Sequence, residues 1–391
     1  MILDKVHDET AFRAALREWL GEVLKSDEAR PVPGDAKSFH KSQKWWMAER
    51  NKVGLGTPHW PSAYGGSDLS LRNQIIIAEE IVRARAPSLG QFTVSINHLP
   101  ATLMKWGTDA QKEKYLPGVA NGTIWCQGFS EPDAGSDLAA VRTRAVREGD
   151  HYVVNGQKIW SSHAMYAKHC ILLTRTDPDA PKHKGISYFI LDMDAPGVEV
   201  RPLTQANGLA KFAEIFLTDV KIPVENLVGP EDEGWAVAQT TLASERGVLS
   251  FERNERMRYM MEDFYADALG SDAQWLKDDE LRREFLRLFA EVQGCRRMMR
   301  KLLRYTSTGS AEAGTIVPYV KLINTELRKL VGDFMTRAGG PDTQKFNPGF
   351  DELSTDPMFT YMTGIGGTIA GGSNEIMRNI ISERLLHMPK G

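Results

Sequence analysis

The sequence predicts an α+β protein built in three consecutive parts: a helical block over 1–122, a β block over 123–230 and a second helical block over 231–391. Three observations carry this reading. Phe12, Leu16 and Leu20 recur on one helical face, with charges opposite, and Leu71–Arg85 reads as a further helix. From residue 123 the period shortens to alternating patterns rich in valine, isoleucine and tyrosine. After Gly234 long helical segments return: Trp235–Leu269, Asp278–Gly309, Pro318–Ala338 and a last helix after Ser373.

Punctuation within each block follows from glycine and proline. Gly54–Gly66 (GLGTPHWPSAYGG) is a loop that no helix continues through. Ala86-Pro87 closes the helix before it, because the residue preceding a proline is pushed out of the helical region. Asp109–Leu116 is a short helix expected to stop at Pro117. In the β block, Tyr152–Trp160 reads as strand, Asn155-Gly156 turn, strand. Pro196-Gly197 marks a second turn, Pro178–Lys184 a polar loop, and Glu214–Pro223 a strand ended by its proline. In the last block Lys321, Arg328 and Lys329 read as solvated faces, and Glu375 as an acid in the first turn of the final helix, where it is favoured.

Composition excludes several function classes. A formal net charge of −3 over 391 residues gives no reason to expect nucleic acid or an anionic membrane as partner. The apolar runs are short; Ile75–Ala78 is closed by Glu79 and Glu80, far below a membrane span. The N-terminal MILDKVHDET has no basic region followed by an apolar core, so no signal peptide is expected. Cys126, Cys170 and Cys295 are odd in number and lack metal-ligand spacing, which reads as reduced thiols in a cytoplasmic protein with no metal. There is no P-loop and no Gly-x-Ser-x-Gly elbow.

Two stretches carry chemistry. Trp125–Arg144 (WCQGFSEPDAGSDLAAVRTR) places turn-forming Pro132, Asp133, Gly135 and Ser136 between apolar flanks, so its middle is a loop. Small donors such as Ser130 and Ser136, with Gly135 permitting close backbone approach, suit a phosphate, a carbonyl or a ring edge; an acidic surface turn would look the same. The second stretch is the helix near Trp235. At helical spacing Trp235, Ala238, Leu242, Glu245 and Leu249 share one stripe, which puts a carboxylate on an apolar face. Its neighbours three and four residues away are Thr241, Leu242, Val248 and Leu249, none basic, and Arg246 points about 100° away. Such a carboxylate is either a base with a raised pKa or the partner of an arginine from another helix.

The loop together with QKIWSS and EIFLTDVKIP resembles the acyl-CoA dehydrogenase family, and the resemblance extends over nearly the full chain, including GTDAQKEKYLPGVANG at the entry to the β block. It implies an N-terminal helical domain, a β domain and a C-terminal four-helix bundle. It also implies FAD as cofactor, an acyl-CoA substrate and an electron-transferring flavoprotein as acceptor. The reaction implied removes the α proton of the thioester as the β hydride passes to flavin N5, giving a trans-2-enoyl-CoA. Most of the family places the base in a Tyr-Glu-Gly-Thr motif, where this chain has Ala370-Gly371-Gly372-Ser373. A minority, resembling isovaleryl-CoA and steroid-chain dehydrogenases, places it on the first helix after the β domain, just before an arginine. Ser244-Glu245-Arg246 matches that position, so the resemblance makes Glu245 the base, with Arg246 beside it in the substrate site. The Gly371 amide remains as a donor to the thioester carbonyl. Cofactor contacts carry over to Phe129, Ser130, Ser136, Trp160, Ser162, Ser373 and Asn374, with Ser136 also near the CoA. Trp160 by itself also suits a core aromatic.

Two departures bear on assembly. The family's Arg-x-x-Phe-Gly segment, which meets the flavin pyrophosphate from a neighbouring subunit, is absent from LGSDAQWLKDDELRREF, where only Arg282 or Arg283 could substitute. The glutamine before the family's Gly-Gly turn is Thr336 here. The resemblance therefore implies either a homotetramer or a two-plus-two hetero-oligomer whose flavin is held partly by another chain. A partner-dependent, non-catalytic subunit and an oxidase on the same fold are the alternative readings, and loss of the usual base frees room for branched or sterol-derived acyl groups.

Overall fold

A computed structural model describes residues 2–244, 247–345 and 356–389. Five helices precede the first strand: α1 (Glu9–Val23), α2 (Ala36–Lys52), α3 (Leu71–Arg83), α4 (Leu99–Trp106) and α5 (Asp109–Ala120). The strands are β1 (Trp125–Gly128), β2 (Arg144–Glu148), β3 (His151–Ser162), β4 (His169–Arg175), β5 (Ile186–Asp192), β6 (Val198–Leu203) and β7 (Phe212–Pro223). Six helices follow: α6 (Gly234–Ser244), α7 (Val248–Gly270), α8 (Asp279–Ser307), α9 (Glu312–Ala338), α10 (Pro357–Gly367) and α11 (Asn374–Asn379). The order helix, sheet, helix is as expected.

The chain divides into two compact units, one of residues 47–68 and 89–245, the other of 1–46, 69–88 and 246–391. The first 122 residues are thus shared between both.

In the sheet unit the strand order is β1-β4-β2-β3-β7-β6, with β5 also on β4. Both faces of β4 are covered, which is why it reads as an unbroken apolar run rather than an alternation. Ile171 and Leu173 join Trp125, Tyr188 and Ile190 in one layer with Leu103 of α4, Leu116 of α5 and Val237 of α6. Cys170 and Leu172 point the other way, among Cys126, Phe189, Leu191 and Ile215. The buried Cys126, Cys170 and Cys295 are all free thiols.

Several elements depart from the sequence reading. Asn155-Gly156 is not a hairpin turn: β3 runs straight through it, the pairing with β7 shifts register there, and the chain reverses between β2 and β3 instead. Glycine is needed at 156 for another reason. A Cβ there would lie 2.5 Å from Thr143 Oγ1 and 2.7 Å from Thr143 Cα, so the strand could not approach the end of the loop. Pro117 falls inside α5 and removes one helix bond without ending it, and its carbonyl accepts the Asn121 N–H at 3.1 Å. Likewise α9 starts before Pro318. The expected helix Trp235–Leu269 is two helices, because Gly247 has non-helical backbone (φ −90°, ψ −146°) between α6 and α7. Leu249 therefore does not continue the α6 stripe, and Glu245 and Arg246 lie outside the described residues.

In the helical unit α7, α8, α9 and α10 form the C-terminal bundle, with α1 on α3 and α3 on α7. Its core includes Phe251, Trp275, Leu288, Val292, Leu302, Leu327, Val331 and Phe334. Charge ties these helices together as well. Glu80 of α3 is 1% exposed and accepts from Arg13 (2.9 Å), Arg17 (2.8 Å) and Arg83 (2.8 Å). Glu79 takes Arg13 (2.6 Å) and Arg296 (2.7 Å), and Arg296 reaches on to the fully buried Glu255 of α7.

Helices α9 and α10 meet backbone to backbone at Gly332, where a Cβ would sit 2.7 Å from Tyr361 Cα and 2.8 Å from Tyr361 N. Gly332→Val has no flexible side chain to displace. It should cost about 2 kcal/mol through overpacking, read as a lowered urea midpoint of helix loss. An unchanged midpoint would show that the two helices slide apart freely. Among the described residues no helix is long and apolar enough to cross a membrane, and no cluster of His, Cys, Asp or Glu could hold a metal.

Candidate active site

The expected site residues fall in both units. In the sheet unit they gather where the loop after β1 meets the end of β3. Gly128 ends β1 under a close neighbour: a Cβ there would be 2.9 Å from both Cys170 Sγ and Leu172 Cδ1. Phe129 then turns its ring into the core (3% exposed), edge-on to Tyr188 at 5.8 Å, and leaves its backbone toward β3. The Ser130 carbonyl accepts the Ile159 N–H at 2.9 Å, which fixes the loop against the strand. Ser136 is exposed farther along the loop, beside Asp137, which pairs with Lys182 at 2.6 Å.

Beneath the loop lies a pair that no local pattern signals. Glu131 and Lys158, 27 residues apart, meet at 2.7 Å, and the ammonium also donates to the Phe129 carbonyl at 3.2 Å. Glu131 accepts two backbone N–H groups besides, from Arg142 (2.7 Å) and Thr143 (2.9 Å), so one carboxylate gathers both ends of the loop. Burial would push the Glu131 carboxyl up, but Lys158 and these donors outweigh it and hold it below its ordinary value.

The end of β3 is irregular. Trp160 is 57% exposed, an unusual fate for a tryptophan in a strand, and has φ +62°. A bulky residue in the left-handed region costs about 1–3 kcal/mol and persists only where its surroundings over-determine it. The pairing with β7 shifts between Lys158 and Ser161, which frees Trp160 to face outward with its ring edge-on to Phe212 at 6.0 Å. Next to it Ser161 is fully buried, and its Oγ has no hydrogen-bond partner among the described residues. Ser162 closes the strand, half-buried. An exposed indole face beside a pinned loop suits a planar ring such as an isoalloxazine.

In the helical unit, Gly371 (φ +65°) and Gly372 (φ +87°) make the left-handed turn between α10 and α11. Ser373 caps α11, its Oγ accepting the Ile376 N–H at 3.3 Å. Asn374 is 1% exposed and engaged on α9: its Oδ1 accepts from Lys321 Nζ and Thr325 Oγ1, both at 2.8 Å, and its Nδ2 donates to Glu326 at 2.9 Å. Lys321 is therefore no solvated face; it also donates to the Thr368 carbonyl at 3.4 Å. Glu375 sits in the first turn of α11, as expected, paired with Arg378 at 3.2 Å. Of the two arginines near the missing pyrophosphate motif, Arg282 is engaged by Asp279 and Arg283 by the Asp279 carbonyl at 3.1 Å. The Thr336 hydroxyl donates to the Gly332 carbonyl at 2.9 Å.

Comparison with known proteins fixes the class. Profiles of the acyl-CoA dehydrogenase N-terminal, middle and C-terminal domains match residues 7–123, 126–220 and 232–386. The chain is 35% identical to the acyl-CoA dehydrogenase IpdE1 of Mycobacterium tuberculosis, over 98% of this chain and 99% of that protein. Among solved structures it resembles the "Tcur3481-Tcur3483 steroid ACAD" with a TM-score of 0.85, at 31% identity and 98% coverage of each chain. It also resembles the ChsE4-ChsE5 complex from Mycobacterium tuberculosis with a TM-score of 0.80, at 26% identity and 98% coverage of each. The chain belongs to the acyl-CoA dehydrogenase family, whose members are flavoproteins, and is an oxidoreductase of that class.

Proposed function

We propose that this protein dehydrogenates a bulky acyl-CoA thioester to its trans-2-enoyl-CoA, with FAD as cofactor, Glu245 as base and an electron-transferring flavoprotein as acceptor. The observation that carries the base assignment is the turn at Gly371. The position where most of the family holds its glutamate is a glycine with φ +65°, a backbone that strains any side chain, so no carboxylate can be supplied there without cost. Ser244-Glu245-Arg246 supplies one at the alternative position.

FAD, when bound, supplies the acceptor for the hydride that leaves the β carbon. The chain's own residues do the rest. The Glu245 carboxylate takes the α proton, and the backbone N–H of Gly371 stabilises negative charge developing on the thioester oxygen. Trp160, with Phe129 and Ser130 on the pinned loop and Ser162 at the strand end, would hold the ring system. Ser136 and Arg246 would meet the substrate, and Ser373 with Asn374 would lie toward the adenosine half through the helix start rather than through the engaged Asn374 carboxamide.

Substrate bulk is supported by the lack of a side chain at Gly371 and by the relative named a steroid ACAD. A second reading, a chain whose flavin site is completed by a different subunit, is favoured by the missing Arg-x-x-Phe-Gly segment and by Thr336. Two of the relatives are themselves described as pairs of proteins. A visible spectrum before and after anaerobic acyl-CoA addition tests both readings. A yellow protein bleached by bulky acyl-CoAs supports the first. A colourless chain that turns yellow when co-expressed with a second dehydrogenase-like chain supports the second. A flavin-loaded protein that no acyl-CoA bleaches overturns the activity. Native mass spectrometry showing a fully flavinated homotetramer of the chain alone removes the partner.

A further inference from the structure

The proposed reaction leaves one buried ion pair without a part. Lys158 is fully buried in β3, and an ammonium in such a place is retained only against a fixed partner. Burial pulls it below the ordinary lysine range, opposed by Glu131. What is unusual is where its second donor goes. Besides Glu131 at 2.7 Å it meets the Phe129 carbonyl at 3.2 Å, and the other end of that same peptide is the N–H of Ser130. A cation at a peptide oxygen draws electron density toward it and strengthens the N–H of that peptide as a donor. The Ser130 carbonyl is meanwhile held by Ile159 at 2.9 Å, and Glu131 is held by the N–H groups of Arg142 and Thr143. The Phe129–Ser130 peptide is thus fixed in direction and polarised from behind.

We propose that the Lys158–Glu131 pair is a positioning device that sets how readily a ring docked on the Phe129–Ser130 peptide accepts electrons. The proposal rests on the flavin reading given above. Neither residue touches substrate; both act through one peptide unit and through the balance of two buried charges.

The test is a reductive titration of the bound flavin against a reference dye, without acyl-CoA, in the full-length protein, with its partner chain present where flavin loading requires one. Three variants are compared: Lys158→Met, Glu131→Gln and the double substitution. Lys158→Met leaves a buried negative charge and should shift the equilibrium about tenfold toward oxidised flavin, about 30 mV for a two-electron couple. Glu131→Gln leaves a positive charge and should shift it about tenfold the other way. The double variant, without charges and without the polarised peptide, should favour oxidised flavin by about threefold. Opposite signs in the two single variants are the signature, since a purely structural role would weaken flavin binding alike in both. Shifts of one sign, or none, in flavin-loaded variants overturn the proposal. If a single variant fails to fold, the double, which buries no charge, decides: a native-like equilibrium overturns the proposal and a threefold shift supports it. A native protein that binds no flavin with or without a partner overturns the flavin reading and the proposal with it, and this is seen before any variant is made.

Discussion

Glu245→Gln should slow anaerobic reduction of the bound flavin by acyl-CoA about 10³–10⁴-fold, while leaving the oxidised flavin spectrum and acyl-CoA affinity close to native. The α carbon of a thioester gives up its proton only to a correctly placed base, and glutamine keeps the shape of glutamate without the ability to take a proton. Stopped-flow absorbance separates the outcomes, because it follows the chemical step apart from product release. Bleaching at the native rate would move the base elsewhere. Loss of flavin along with rate would make Glu245 a structural residue, the other role its sequence setting allowed.

Glu80→Gln should lower the stability of the helical unit by about 3 kcal/mol at neutral pH, the low end for breaking a buried ion pair, since Arg17 and Arg83 reach solvent on their outer sides. Burial alone would raise the Glu80 carboxyl, but Arg17, Arg83 and Arg13 outweigh it and depress it to about 2. A carboxyl depressed in the fold contributes stability that is complete above its unfolded value near 4.5 and is lost as pH falls toward 2. The gap between native and variant urea midpoints should therefore be widest at neutral pH and close between about pH 4.5 and 2. A gap constant down to pH 2 would mean that the substituted glutamine destabilises through shape and not through charge.

What could be read from the sequence follows from the range of the interactions involved. The loop after β1, the strand ending at Pro223 and the order of helical and β segments rest on local composition and period, and they stand as read. The break at Gly247 was not legible: glycine is tolerated in a helix, and the apolar stripe from Trp235 to Leu249 matched a continuous one. Asn155-Gly156 misled for a similar reason. The dipeptide is the strongest short hairpin signal, yet here glycine serves a close approach to Thr143, in the loop before β2. Glu131 with Lys158, and Lys321 with Asn374, are pairings that only the fold brings together. Trp160 was legible as an aromatic in the QKIWSS stretch, but its exposure and left-handed backbone depend on a register shift against β7 that no local rule encodes.

The division of the first 122 residues between two units has a consequence for how the chain is made. Helix α3 leaves the ribosome early, yet Ala78 belongs to the same core as Phe251 and Met257 of α7. Roughly 170 residues, including the whole sheet, must be synthesised between them, which at 5–20 residues per second is about 10–30 s. During that interval the sheet unit has most of its own chain and can close. Helices α1 and α3 meanwhile carry an apolar face, and Glu79 waits for Arg296 and Arg300. The early helices therefore lack their partners in that core until α7 and α8 arrive. A fragment cut at either edge of the β block would inherit that exposed face permanently.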